Sequence, residues 1–284
     1  MKKLFKIAVN FMAVALLAVC SFGLAACEDI KKLDISLSLY NYTDNVFYAE
    51  SDVKFSVDLY RHLAPKTVDK VLEHVKAGYY DNAVFYQDAS DSSLIFIGDL
   101  KFENGELKQN LINGRLPSEI YGEFEANGTT GSNLVSEKGS IGIWRSYYEQ
   151  DKSYTTSSDA RDSGRATLYM PTSTKSAYNG YFCVFATFDT ADDANAKALS
   201  AITSILSNNS TEYVIYYTGE YDAAKADENY GLTFNAVKAE DFDENTEVFE
   251  AEGKQLVCFN KKTVKIPNEA SGEISAKIKS IKVK

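Results

Sequence analysis

The sequence predicts a mostly β protein, a closed antiparallel barrel capped by two α-helices. Three observations carry this expectation. Short apolar runs that alternate with polar residues recur along the chain, the pattern of strands with one buried face. Only two stretches switch to the 3.6-residue period of an amphipathic helix. These two do not alternate with the strands in the rhythm a parallel α/β sheet needs, which leaves an antiparallel sheet that removes its own edges by closing. The 19 Tyr and 16 Phe residues add the aromatic content that suits pleated, half-buried surfaces.

Taken in order, residues 34–40 alternate Ile35, Leu37 and Leu39 with polar neighbours, and residues 53–60 alternate Val53, Phe55, Val57 and Leu59. The period then changes. Val68, Val71, Leu72 and Val75 fall at i, i+3, i+4 and i+7, with Pro65 at the start and Gly78 at the end, so residues 64–78 read as a helix. Strands follow at 83–86 and 94–97, the latter running into Gly98-Asp99. Residues 100–138 read as a polar, turn-rich insertion, 139–144 as a strand, 146–164 as a second polar insertion, and 166–170 and 181–188 as strands. A second helix fits 191–206, with Asp189 or Thr190 as its cap and a stripe of Ala194, Ala198, Ile202 and Ile205. Short β-prone runs at 212–217, 232–237, 248–249 and 255–259 belong to an extension, 207–284, whose tail from 273 alternates apolar residues with lysines.

The N-terminus carries an address. Lys2, Lys3 and Lys6 precede an apolar run, and Leu24-Ala25-Ala26-Cys27 follows. This order is that of a secretory signal with small residues at its cleavage point. A Cys directly after Leu-Ala-Ala resembles the lipobox of bacterial lipoproteins. The resemblance implies cleavage after residue 26 and lipid on Cys27, with residues 27–33 as a short tether and 34–284 as the folded domain outside the cytoplasm. More than one acyl chain makes such anchoring stable. The expected location is therefore extracytoplasmic, at the bacterial cell membrane.

Charge and composition exclude several functions. The chain has 30 Lys and Arg against 40 Asp and Glu; removing the three lysines of the signal takes the formal charge from −10 to −13. Such a surface argues against nucleic acid, whose phosphates need a basic footprint, and against a protein lying flat on anionic lipid. Histidine is limited to His62 and His74, both read as solvated. With no Cys/His cluster, no metal site and no cofactor are expected, and a Ser-His-Asp triad has almost no material. Cys183 and Cys258 sit in apolar strand-like runs and read as two buried free thiols, though pairing outside the cell stays open. The acidic clusters at 189–193 and 240–244 read as solvated faces.

The order of pieces from Val53 onward is similar to cyclophilin-type peptidyl-prolyl isomerases. The segments that carry the resemblance are Val-Lys-Phe-Ser-Val-Asp-Leu-Tyr, Ala-Pro-Lys-Thr-Val and Val-Lys-Ala-Gly-Tyr-Tyr-Asp, then Val84-Phe85-Tyr86-Gln87 and Leu94-Ile95-Phe96-Ile97-Gly98-Asp99, and later Gly139–143, 162–170 and 178–185. The resemblance implies an eight-stranded barrel and an apolar groove that grips proline. In that family an arginine donates to the prolyl nitrogen as the imide bond rotates, a stabilisation found only in the transition state.

Carried over residue by residue, Gln87 stands at the arginine position. Phe96 stands at a substrate-gripping glutamine, Trp144 at a small alanine, Arg145 at an asparagine and Thr167 at a second glutamine. Tyr169 takes the floor phenylalanine, Ala177 the rim tryptophan, and Tyr178 and Phe182 a leucine and a histidine. Phe85 and Ile143 complete the expected groove, and Trp144 and Phe96 are expected to fill it from within. Arg145 and Arg165 read as solvated loop arginines. The resemblance implies a monomer that acts on X–Pro bonds of exported, proline-containing polypeptides with turnover weak or lost. The alternative is a non-catalytic peptide- or protein-binding surface lipoprotein on the same scaffold.

Overall fold

The structure is a computed structural model and describes residues 30–49, 53–129, 134–145, 164–220, 233–243, 248–251 and 254–284. The expected signal segment, Cys27 and residues 146–163 lie outside the described residues, as does the side chain of Cys258. In chain order the elements are β1 (Ile30–Asn41), β2 (Val46–Phe47), β3 (Lys54–Tyr60), α1 (Pro65–Lys76), β4 (Ala83–Asp88), β5 (Leu94–Glu103), β6 (Glu106–Gln109), β7 (Ser140–Ile143), β8 (Leu168–Pro171) and β9 (Val184–Thr187). They continue with α2 (Asp193–Asn208), β10 (Ser210–Glu220), β11 (Thr233–Lys238), β12 (Val248–Ala251), β13 (Lys254–Pro267), β14 (Glu269–Ala270), β15 (Glu273–Ile274) and β16 (Ala276–Val283).

Eight strands pair antiparallel in a ring, β4-β16-β1-β3-β9-β7-β8-β5 and back to β4. Its joints are uneven. β1 meets β3 and β16 through seven register pairs each, whereas the seam between β16 and β4 rests on Lys277↔Val84 alone. Side chains alternate along each strand, so Ile35, Phe55, Val57, Phe85, Ile95, Ile97, Ile143, Leu168 and Phe185 point inward and form the first core. Helix α1 adds Val68, Val71 and Leu72 to this core, and α2 adds Ala198, Leu199, Ile202, Ile205 and Leu206.

Three details differ from the sequence expectation. β1 begins at Ile30, paired with Tyr60, so the strand takes up most of the expected tether. Helix α2 starts later than expected, with Asp192 as its cap accepting from the amides of Ala194 and Asn195 at 3.0 Å each. Asp189 is already used in the preceding turn, where its Oδ1 accepts from Ala191 N. The insertion at 100–138 is not all loop. β5 runs on to Glu103 and turns through Asn104-Gly105, both at positive φ (55° and 81°), into β6. That dipeptide between strand residues is a type I′ hairpin signal.

The C-terminal extension builds a second sheet on the first. β4 gives its first half to β16 at Val84 and its second half to β13, with Gln87↔Lys265 and Asp88↔Val264. β13 carries β10, which carries β11. A second core lies between this sheet and the outer face of β4 and β5. Val84, Tyr86, Leu94, Phe96 and Leu100 meet Leu107 of β6, Ile215 of β10 and Val264 and Ile266 of β13. β4 and β5 are therefore buried on both faces, which explains their continuous apolar runs. The tail, β16, then returns between β1 and β4 and completes the ring.

His74 is not solvated as expected. It is 2 % exposed, packed beside Tyr79 and Tyr80, because the last turn of α1 lies against that pair. Burial pushes its pKa down to about 4, with the Lys70 charge acting in the same direction. A depressed histidine contributes stability that is full above its unfolded pKa of 6.5 and is lost as pH falls toward 4. At pH 5 the loss relative to neutral pH is about 2 kcal/mol. Denaturant titrations of wild type and His74→Leu are expected to differ in favour of the variant as pH drops from 7.5 to 4.5. A difference that does not change with pH would contradict a buried neutral imidazole. His62 is exposed, as read from the sequence.

Candidate functional site

Gln87 sits near the end of β4, 1 % exposed. Its backbone is paired with Lys265, and its side-chain amide donates to Ser92 O at 2.9 Å. Its Oε1 is buried without a hydrogen-bond partner among the described residues. The amide is thus spent on the turn between β4 and β5.

The other expected groove residues divide into three sets. Phe85 and Ile143 face the barrel interior, because the two-residue alternation that puts Tyr86 outside puts Phe85 inside, so neither lines an outer groove. Phe96, Trp144, Tyr169 and Phe182 come together on the outer face in one aromatic cluster. Phe96 stacks on Tyr86 (centroids 5.2 Å, 23°) and meets Trp144 edge-on (5.0 Å, 77°). Trp144 stacks on Phe182 (5.1 Å, 25°), Tyr178 tilts onto Phe182 (4.7 Å), and Tyr169 closes the set edge-on. Offset-stacked and edge-on geometries are the favourable ones for aromatic rings, worth about 0.5–1.5 kcal/mol per pair beyond area burial.

Tyr169 is 0 % exposed, and its hydroxyl shares a 2.7 Å hydrogen bond with Ser136 Oγ. The hydroxyl end of its ring lies against Gly142, where a Cβ would fall 2.5 Å from Tyr169 Cζ. Gly142 is therefore dictated by the ring above it.

Arg145 and Thr167 form the third set, and Arg165, read from the sequence as a solvated loop arginine, is described with them. Arg145 is 3 % exposed, its guanidinium 4.7 Å from the Phe124 ring and 5.0 Å from that of Phe182, so it is not a solvated arginine. The flat, weakly hydrated guanidinium tolerates burial between rings in a way an ammonium does not. Arg165 is half-buried, donating to Pro117 O and to Glu119 Oε1 at 2.8 Å each. Thr167 is half-exposed, and its carbonyl accepts from Trp144 N.

Several residues enter this region without any local sequence signal. Lys262 of β13 lies over the rings of Phe96 (5.0 Å) and Tyr86 (5.3 Å), a cation held against the aromatic cluster. Asp99 Oδ2 accepts from Tyr86 Oη at 2.8 Å, while Oδ1 is buried without a partner among the described residues. Burial raises the Asp99 pKa, against the opposing effects of Lys262 and the Tyr86 donor. Glu123, 5 % exposed, accepts from Lys66 N (3.1 Å) and Thr67 N (2.7 Å), and so caps α1 from a distant loop. The residue at the helix's own cap position, Ala64, has no side-chain acceptor. Beside it Cys183 is a buried free thiol, 3.4 Å from Thr67 Oγ1 and pushed up to about 12 by burial. Among the described residues no three His, Cys, Asp or Glu side chains gather in a way that would hold a metal ion.

A ring of eight antiparallel strands with, among the described residues, two α-helices packed on it is the scaffold expected of a cyclophilin-type protein. The sequence profile of the family described as cyclophilin type peptidyl-prolyl cis-trans isomerase/CLD matches residues 46–190, half of the chain, and the chain belongs to this family. Among solved structures it is similar to a cyclophilin type peptidyl-prolyl cis-trans isomerase of Cryptosporidium parvum crystallised in the presence of the dipeptide Ala-Pro. That match has 13 % identity and a TM-score of 0.39, and covers 61 % of this chain and 85 % of that one. A second crystal structure of the isomerase matches at 11 % identity and a TM-score of 0.40, covering 84 % and 99 %. No curated protein matches the sequence.

Proposed function

We propose that this is an extracytoplasmic, lipid-anchored cyclophilin-family protein whose turnover on X–Pro bonds is weak or lost, and whose role is to bind exported polypeptides at the bacterial membrane. The observation that carries the reading is the aromatic cluster. Phe96, Tyr169 and Phe182 are each less than 5 % exposed, packed with Trp144 in the second core. Side chains that would line a groove for proline are instead members of a core. Gln87, at the resemblance-derived arginine position, is committed to Ser92 O. A neutral amide would in any case give about half the stabilisation of a charged donor. Rotation about an imide bond is slow without help, so loss of both grip and donor leaves little catalysis.

The test is a refolding reaction limited by proline isomerisation, run with increasing amounts of the purified protein. No acceleration is expected, and Gln87→Arg alone is expected to restore none, because the new guanidinium has no open surface to reach. A clear acceleration by the wild type would overturn the loss of turnover and favour an isomerase acting on X–Pro bonds of exported polypeptides. The anchoring half is read separately, by the mass of the N-terminal peptide of the membrane-extracted protein. A diacylglyceryl-modified Cys27 supports it, and an unmodified N-terminus removes it.

A further inference from the structure

The acidic charge of this protein is unevenly spread. The start of β1, the end of β3 and the end of β16 meet at one end of the barrel, through Lys31↔Leu59, Lys32↔Asp58 and Leu33↔Val283, with Lys284 N donating to Lys32 O. Lys31, Lys32, Arg61, Lys76, Lys282 and Lys284 gather there. Lys31 and Lys76 are both near enough to Asp69 to lower its pKa, after the larger effect of its hydrogen bond from Arg61. Among the described residues, Asp34, Asp58 and Asp69 at this end are matched, by Lys284–Asp34 (2.6 Å), Lys32–Asp58 (3.0 Å) and Arg61–Asp69 (2.7 Å). Lys31, Lys76 and Lys282 remain exposed with no ion pair among the described residues. The rest of the molecule carries the acidic excess.

This end is also where the chain enters. β1 starts at Ile30, three residues after Cys27, and an extended chain spans at most about 3.3–3.6 Å per residue. The basic end therefore lies within roughly 10 Å of an acylated Cys27, a distance close to the screening length of physiological salt, about 8 Å. Glu28 and Asp29 fall in the tether, outside the described residues.

We propose that this basic end is a docking face for anionic phospholipid headgroups, which stands the barrel on the membrane with β1, β3 and β16 downward. The proposal rests on the lipid anchor proposed above. Attraction at the near end and repulsion of the acidic remainder turn the molecule the same way. Surface-apposed lysines gain about 1 kcal/mol each from an anionic leaflet, about fivefold in occupancy.

The experiment reconstitutes the lipidated protein in vesicles of phosphatidylcholine alone or enriched in phosphatidylglycerol, and reads amine acetylation residue by residue by mass spectrometry. Lys31 and Lys282 are expected to be labelled about fivefold less on the anionic vesicles, with labelling restored by high salt and Lys138, beside α2, unchanged. Equal labelling on both vesicles overturns the docking face. Lys31→Glu/Lys76→Glu/Lys282→Glu, all at exposed positions, is expected to fold normally and to lose protection at Lys32 and Lys284. Failure to float with pure phosphatidylcholine sinks the anchor instead. The docking face is then decided with the lipid-free Cys27→Ser chain on anionic vesicles, where the same protection pattern keeps it and no protection overturns it.

Discussion

Phe96→Ala is expected to cost about 3–5 kcal/mol and to lower the unfolding midpoint by roughly 10 °C. Phe96 is 3 % exposed and held on every side. Tyr86 stacks beneath it, Trp144 meets its edge, and the Lys262 ammonium lies over its face. Removing the ring takes away the transfer energy of a large buried side chain and leaves a cavity between two sheets that cannot collapse independently. It also strips Lys262 of part of its cation–π contact. The measurement distinguishes two views of this surface. A groove residue waiting for a ligand is exposed when empty, and its truncation leaves stability nearly unchanged. A core residue is not. An unfolding midpoint of Phe96→Ala within error of the wild type would mean that the aromatic cluster is loose, and with it the reading that the groove is filled.

Glu123→Ala is expected to cost about 2–3 kcal/mol, because the buried amide of Thr67 is left unsatisfied at about 1–3 kcal/mol and the part-buried amide of Lys66 loses its acceptor at a smaller cost. The carboxylate accepts from Lys66 N and Thr67 N at the positive end of α1, where negative charge is favoured. Glu123→Gln is expected to recover less than half of the loss. Its amide offers one carbonyl to two donors and turns an NH2 toward the other. Chemical denaturation of both variants measures this. If Gln and Glu prove equally stable, the two amides do not share the carboxylate and the cap is not what holds this helix start.

Much of the barrel was legible in the chain. Helix α1 announced itself by Val68, Val71, Leu72 and Val75, by Pro65 at its first turn and by Gly78 in the left-handed region after its end. The tail's alternation of Ile274, Ala276 and Ile278 with lysines was enough to place a strand there, and that strand completes the ring. The Asn104-Gly105 hairpin was legible too but lay hidden in a stretch dominated by polar residues. The residues that the sequence nominated for the groove are split by the structure: Phe96, Trp144, Tyr169 and Phe182 share the outer face, whereas Phe85 and Ile143 face the barrel interior. A motif match is blind to which side of the sheet a residue faces, and adjacent strand residues face opposite sides.

The sequence by itself determined the elements and the family, because periodicity, caps and turn residues act over a few neighbours. It could not place His74 or Arg145 in the interior, since burial depends on what packs over a residue from elsewhere. Only the tertiary structure decided that β13, while still paired with β10, also pairs with Gln87, that Lys262 comes to rest over Phe96, and that Glu123 reaches across to cap α1. Contacts between distant segments are set by the packing of whole sheets, and no local pattern encodes them.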